Sequence, residues 1–345
     1  MTTQLTPVQG TDIHKAGQHS SKSLQGCVFE PTGVARLEEI PDVHRPVPEG
    51  GFLWFDLTDP SAYDLETLQS RFKLHPLAVE DALHAHQRAK AESYPGFEFV
   101  VVHGVSRTEQ GTLGVHELNL FIGKDFVISV RHGPSFSIQD LLSRWDRVPE
   151  HWRPDPSSLF YVLLDAVVDE YAPFADALEE DLRSVRQRLI RNSSLEAPEM
   201  RHIFSLSELA YASHAVAFPL KDVLTTLLRA GPPVVSELEV PYFRDIRDHA
   251  EHVIERLALA RNGADRAFDI YHALEARAQA KTSRQLAQVA TVFLPLTLVT
   301  GFFGQNFGVL VSGIAGPRAF WILCVGGEIL VAVLTLYFVR RMGRR

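Results

Sequence analysis

Cysteine is scarce in this 345-residue chain. There are two, Cys27 and Cys324, far apart and without a Cys-x-x-Cys spacing, so neither a disulfide framework nor a zinc–thiolate site is supported. Positive charge is not in excess either: 34 Lys and Arg stand against 42 Asp and Glu, a formal net charge of −8. That balance argues against a nucleic-acid binder, which carries a basic surface. The chain lacks a P-loop, a dinucleotide fingerprint, a nucleophile elbow and an HExxH helix, so no enzyme chemistry is expected. Its first residues, MTTQLTPVQGTDIHKAGQHS, hold no apolar run; no signal peptide is expected, and 1–25 reads as a disordered leader. With 46% hydrophobic residues the rest of the chain is not disordered.

The sharpest absence is local. From residue 285 to residue 317 there is no Asp, Glu, Lys, Arg or His. After Arg284 the only charges are Arg318, Glu328, Arg340, Arg341, Arg344 and Arg345, a net +4, which leaves −12 on residues 1–284. Within the tail, LAQVATVFLPLTLVTGFF (286–303) and AFWILCVGGEILVAVLTLYFV (319–339) match the ~20 apolar residues a helix needs to cross a bilayer. Pro295 is tolerated in such a helix. Arg277, Lys281 and Arg284 precede the first run and RRMGRR ends the chain, whereas the intervening loop has only Arg318. Positive charge stays inside. The sequence therefore predicts transmembrane helices at 285–305 and 319–339, an outer loop at 306–318, a basic cytoplasmic tail at 340–345, and both termini in the cytoplasm of a multi-pass plasma-membrane protein. A hairpin of two buried helices is the alternative.

The body divides by composition. In 26–150, the segments 52–57, 97–105, 116–123 and 126–131 are rich in aromatic and β-branched residues and read as strands, the last two joined across Lys124-Asp125. Helices are expected after Asp59-Pro60-Ser61 and at Pro76, which makes this an α/β domain. From 151 to 284 the pattern is helical, broken at Asn192-Ser193-Ser194, Pro219 and Gly231-Pro232-Pro233. From residue 242 to 294 no strong breaker occurs except Gly263, and if the stretch on to 303 is one helix it spans roughly 90 Å at 1.5 Å per residue. Two spans cannot enclose an aqueous path, so such a helix entering lipid predicts oligomerisation.

On the first span, Ser283, Leu286, Ala290, Leu294, Thr297 and Gly301 fall on one helix face. That face is either a pore lining, with Leu294 as a hydrophobic constriction, or a small-residue face that lets helices approach closely. Gly304-Gln305-Asn306 follows. Amide oxygens can hydrogen-bond the water shell that Mg2+ gives up reluctantly; a glycine cap ending the helix is the plainer reading. Glu328, after Gly326-Gly327 in the second span, is an intramembrane carboxylate, with a packing role bonded to a neighbour and a proton-coupling role both open. His84 and His86, near Glu80 and Asp81, are expected to point apart on a helix and to be surface residues. Asp165, Asp169, Glu179, Glu180 and Asp181 form acidic helix faces; most are expected to be solvated surface, although oligomerisation of so acidic a body could create cation sites between copies.

At this point the residues resemble a family. VFLPLTLVTGFFGQNF (292–307) is similar to the signature of the CorA divalent-cation transporters, whose first span ends in Gly-Met-Asn. HPLAVEDALHAHQRAKAESY (75–94), HELNLFIGKDFVISVRH (116–132), the segment 157–182 and VPYFRDIRDH (240–249) resemble its cytoplasmic blocks in order. The resemblance implies a CorA-like funnel: a cytoplasmic α/β domain, a long helical stalk continuing as the pore-lining span, and a second transmembrane helix outside it, in a homopentamer. It implies passive influx of Mg2+, with Co2+ or Ni2+ also carried, no organic cofactor, and cytoplasmic acids that bind Mg2+ and favour closure. Carried over by position, Asn306 is the filter asparagine beside Gly304 and Gln305; Thr297 and Gly301 match pore-facing positions and Leu294 the constriction. The chain departs from the family where Gln305 replaces Met, where the outer loop has no acid, where Ala280 takes a pore-facing Asn position, and where Asn262 takes a stalk-acid position with Asp265 one turn on. TGFFGQN also resembles the ZntB branch, which implies a proton-linked Zn2+ transporter as an alternative. A membrane-anchored metal sensor that conducts nothing is the third reading.

Overall fold

The computed structural model describes residues 24–31, 33–36, 46–133, 137–153, 155–191, 197–230, 235, 238–305 and 316–342. The chain divides into two compact units, Met1–Gln187 with Arg201–Ala267, and Arg188–Met200 with Phe268–Arg345.

The first unit is built on one sheet. Its strands are β1 (Leu24–Glu30), β2 (Gly33–Arg36), β3 (Phe52–Thr58), β4 (Lys90–Tyr94), β5 (Phe97–Arg107), β6 (Leu113–Gly123) and β7 (Phe126–His132). They lie in the order β2-β1-β3-β7-β6-β5-β4. Only β3 and β7 run parallel; β6 and β7 form the hairpin expected across Lys124-Asp125. Strand β1 begins at Leu24, inside the segment read as leader.

Between β3 and β4 lie α1 (Ala62–Phe72) and α2 (Pro76–Leu83). Ser61 caps α1: its hydroxyl accepts from the Asp64 amide at 3.3 Å, and the Asp64 carboxylate accepts from the Ser61 amide at 3.1 Å. Such caps contribute about 1 kcal/mol. Pro76 opens α2, where its missing N–H costs nothing. Leu65 and Leu68 of α1 and Ala78, Val79 and Ala82 of α2 close a core over Leu53, Phe55, Leu57, Phe99, Phe121, Ile128 and Val130.

The opposite face is covered too. Phe29 stacks on Phe52 and meets Trp145 edge-on, at 4.4 and 4.8 Å between ring centroids; Trp145 ends α3 (Ile138–Trp145). Next comes α4 (Pro156–Arg191), whose Tyr171 hydroxyl donates to the His103 carbonyl at 2.7 Å. The neighbouring Glu170 lies 3.1 Å from His116 of β6. A sheet covered on both faces explains why β3 is buried at six consecutive positions, Phe52 to Leu57, rather than at alternate ones. These contacts also tie α4 to the sheet, so the expected boundary at 150 falls inside this unit.

One buried polar network crosses the sheet. Asp56 is 1% exposed. It accepts from the Ser129 hydroxyl at 2.6 Å and from Arg131 Nε at 3.0 Å, and pairs with the Arg131 guanidinium a second time. Trp54 Nε1 donates to Ser129 Oγ at 2.9 Å. Burial pushes the Asp56 carboxyl above its ordinary range, with Arg131 and Ser129 pulling the other way.

Two further helices, α5 (Ala197–Ala217) and α6 (Leu220–Ala230), precede α7 (Val240–Phe303). The last is the unbroken helix expected from residue 242 on, 64 residues long and helical through Pro295. In the second unit a single turn, Pro317–Ala319, leads through a π-helical stretch, Phe320–Val325, into α8 (Gly326–Met342).

Candidate conduction path

Ser283, Leu286, Ala290, Leu294, Thr297 and Gly301 all lie on α7 and all are exposed in the single chain. Leu286 and Leu294 are 67% and 73% exposed. Half-buried positions in the same stretch are Val292, Pro295, Leu296, Val299 and Phe303. At 100° per residue they form a second stripe ~180° from the candidate pore face. The neighbouring helix therefore leans on one side of α7 and leaves the side read as pore lining bare.

That neighbour is α8. Its half-buried residues include Glu328, Ala332 and Thr335, one stripe at four- and three-residue spacing that Val325, just before the helix, extends. Glu328 touches α7 directly: the Thr300 hydroxyl lies 2.8 Å from Glu328 Oε1 and 2.9 Å from the Leu296 carbonyl. This favours the packing role read for Glu328 from sequence. Thr300 itself was not among the sequence candidates; its partner sits 28 residues away and leaves no local signal.

The helix ends at Phe303. The Gly304 amide still donates to the Thr300 carbonyl at 2.9 Å, and the Gln305 amide donates to Phe302 at 3.3 Å. Gly304 and Gln305 are exposed at this end. Asn306 lies outside the described residues.

The acids of the first unit are already engaged. Asp265 accepts from the Tyr211 hydroxyl at 3.0 and 3.1 Å, with Arg261 over the Tyr211 ring. The Asp265 hydrogen bond, then burial, raises the Tyr211 phenol above its ordinary range. Arg144 pairs with Asp165 and Asp169 at 3.5 and 2.6 Å. Arg256 of α7 meets Asp176 and Glu179 of α4 at 2.5 and 2.9 Å. Arg107 pairs with Asp181 at 2.6 Å, and Arg183 with Glu180. Burial, then Asp169, raises the Asp165 carboxyl, while Arg144 opposes them. The acidic helix faces are thus met by arginines of the same chain. Among the described residues, no group of three or more His, Cys, Asp or Glu is arranged to hold a metal ion.

His84 and His86 are exposed, as expected, but not for the expected reason. Helix α2 ends at Leu83, so His84 is its cap and His86 lies beyond it at φ 82°. There the backbone amides of His86 and Gln87 donate to the Glu117 carboxylate at 2.7 and 2.9 Å. Burial works against the charged form of Glu117, but hydrogen bonds from His103, Asn119 and His86 prevail and hold it below the usual carboxylate range. That carboxylate anchors the loop.

The sheet, the long helix and its bare apolar end correspond to a known family. The model of the CorA-like Mg2+ transporter protein matches residues 49–341. The chain belongs to the CorA family. It is 26% identical over 324 residues to the cobalt/magnesium transport protein CorA of Thermotoga maritima, covering 91% of this chain and 88% of that one. It is 27% identical over 271 residues to the putative metal ion transporter YfjQ of Bacillus subtilis, covering 79% and 83%. Its fold matches the complete CorA magnesium transporter of Methanocaldococcus jannaschii with a TM-score of 0.77 at 18% identity, over 92% of this chain and 98% of that one. In this CorA chain, the α/β domain and long helix match those of the full-length relative, and α7 is long and apolar enough to cross a membrane. The stretch Trp321–Tyr337 is a shorter apolar run.

Tyr211 offers a test of Asp265. Replacing Tyr211 by Phe removes the hydroxyl that occupies both carboxylate oxygens. If Asp265 binds a regulatory cation, Mg2+ should then protect the solubilised protein against heat at several-fold lower concentration. An unchanged Mg2+ dependence would remove Asp265 from the candidate metal ligands.

Proposed function

We propose that this protein is a divalent-cation channel that admits Mg2+, and also Co2+ and Ni2+, down the membrane potential through a homopentameric pore. The observation that carries the reading is the uncovered end of α7: none of the most apolar 18-residue stretch is buried. A core helix of a soluble protein would be mostly buried, so this surface calls for lipid on some sides and for copies of itself on others. The copies meet around Ser283, Leu286, Ala290, Leu294, Thr297 and Gly301, the side of α7 opposite the α8 contact. Leu294 narrows the path and gates it by dewetting. Thr297 and Gly301 present hydroxyl and bare backbone, and the Gly304-Gln305-Asn306 end hydrogen-bonds a hydrated ion without stripping it. The segment 319–339 is the second, peripheral span, 306–318 the outer loop, and both termini are cytoplasmic.

The test is metal uptake by liposomes containing the purified chain, with Mg2+, Co2+, Ni2+ and Zn2+ competing, with and without a pH gradient. Mg2+ uptake inhibited by Co2+ and Ni2+, and indifferent to the pH gradient, is the expected result. Zn2+ uptake that requires the gradient would favour the proton-linked zinc transporter. No uptake of any metal would leave a membrane-anchored sensor.

A further inference from the structure

A carboxyl group inside an apolar span needs a partner, because the hydrocarbon supplies none. Among the described residues Glu328 meets no cationic side chain. Its partner is the Thr300 hydroxyl, at 2.8 Å. Three independent features of the second unit converge on this contact. Glu328 lies on the half-buried stripe of α8, not on its lipid-facing side. The π-helical stretch Phe320–Val325 and Gly326-Gly327 come immediately before it; a π-helical segment shifts the helical register and so re-aims the side chains that follow. And Thr300 is the residue whose carbonyl holds Gly304, at 2.9 Å, at the closing turn of α7.

We infer that Glu328 is a positioning residue for the conduction path: by accepting from Thr300 it fixes the last turn of the pore helix and hence the place of Gly304 and Gln305. The Thr300 hydroxyl has one proton and two acceptors within 2.9 Å, the Leu296 carbonyl and Glu328. With Glu328 removed, the hydroxyl turns wholly to its own helix, and the closing turn loses its link to α8. The carboxylate acts through its acceptor oxygen, and its charge is not required.

This rests on the proposed channel activity, so wild-type flux is measured alongside. Liposomes are prepared with the wild type, Glu328→Leu, Glu328→Gln, Thr300→Val, Thr300→Ser and the Glu328→Leu/Thr300→Val double variant, and Mg2+ uptake is normalised to assembled protein. Glu328→Leu and Thr300→Val should each lower maximal uptake roughly three- to tenfold, in the range of interhelical hydrogen bonds in membranes. The double variant should fall no further than either single one, as expected for two partners in one interaction. Glu328→Gln and Thr300→Ser keep acceptor and donor and should retain most of the flux. Full uptake by Glu328→Leu, additive losses in the double variant, or a Glu328→Gln loss as deep as that of Glu328→Leu would each overturn the inference while channel activity stands. If Glu328→Leu fails to assemble, Thr300→Val, nearly isosteric, carries the test alone: full uptake overturns the inference and a loss reversed by Thr300→Ser upholds it. A wild type that conducts nothing overturns both readings.

Discussion

Replacing Asn306 with alanine should abolish metal uptake while the protein still assembles in the membrane. Alanine keeps the backbone and takes away the only side-chain amide that follows Gly304-Gln305. A hydrated Mg2+ holds its first water shell tightly, so recognition at the mouth has to work through hydrogen bonds to that shell. The sequence that follows offers no carboxylate to compensate, since residues 305–317 contain neither Asp nor Glu and Arg318 follows. A cation approaching this mouth therefore has little electrostatic attraction to fall back on. The measurement is liposome uptake of Mg2+ beside size-exclusion chromatography of the same preparation. Uptake at the wild-type rate by the assembled variant would remove Asn306 from the path and leave the activity without its filter.

The second large effect concerns stability. Asp56→Ala should destabilise the sheet-containing unit by about 3–5 kcal/mol, the usual result of leaving one member of a buried ion pair without its partner. Arg131 is 8% exposed, so its guanidinium cannot recover solvation by a small shift. The Ser129 hydroxyl loses an acceptor at the same time, and Trp54 bonds to that serine, so the disturbance reaches across β3 and β7. Asp56→Asn, which keeps an acceptor but not the charge, should fall between the two. The thermal unfolding midpoint of the solubilised protein, followed by tryptophan fluorescence, measures both. A midpoint for Asp56→Ala within a degree or two of wild type would mean that Arg131 finds another counter-ion.

Most of the architecture can be read from the sequence because it follows local patterns. The strands β3, β5, β6 and β7 fall within a few residues of their β-branched and aromatic runs, and Ser61 and Pro76 mark the starts of α1 and α2. The phase of the candidate pore face is also a local property, fixed by 3.6-residue periodicity. Other elements carry weaker signals. Strand β4, KAESY, has charges at two of five positions and no apolar alternation; α3 is only eight residues long; β1 and β2 carry glycines. The contacts that matter most for the candidate site are the least legible. Thr300 with Glu328, Tyr211 with Asp265 and Arg256 with Asp176 join residues 28, 54 and 80 positions apart. Nothing in either local segment announces such a pairing. The acids of α4 show this: Asp165, Asp169, Asp176, Glu179 and Asp181 meet arginines far away in sequence, and only Glu180 finds its arginine, Arg183, on the same helix one turn on.

Strand β4 has one more consequence. It ends the sheet, with β5 on one side and, among the described residues, no strand on the other. An open edge of this kind is a template for pairing with the same edge of another molecule, and a channel that gathers several copies around an axis holds such edges at high local concentration. This edge is protected in two ways. Lys90 and Glu92 place charge along the strand, and Lys90 is held by Asp81 at 2.8 Å and Glu92 at 2.9 Å. Helix α6 packs beside it. The short, charged strand that is hardest to recognise is thus a guard against edge-to-edge pairing.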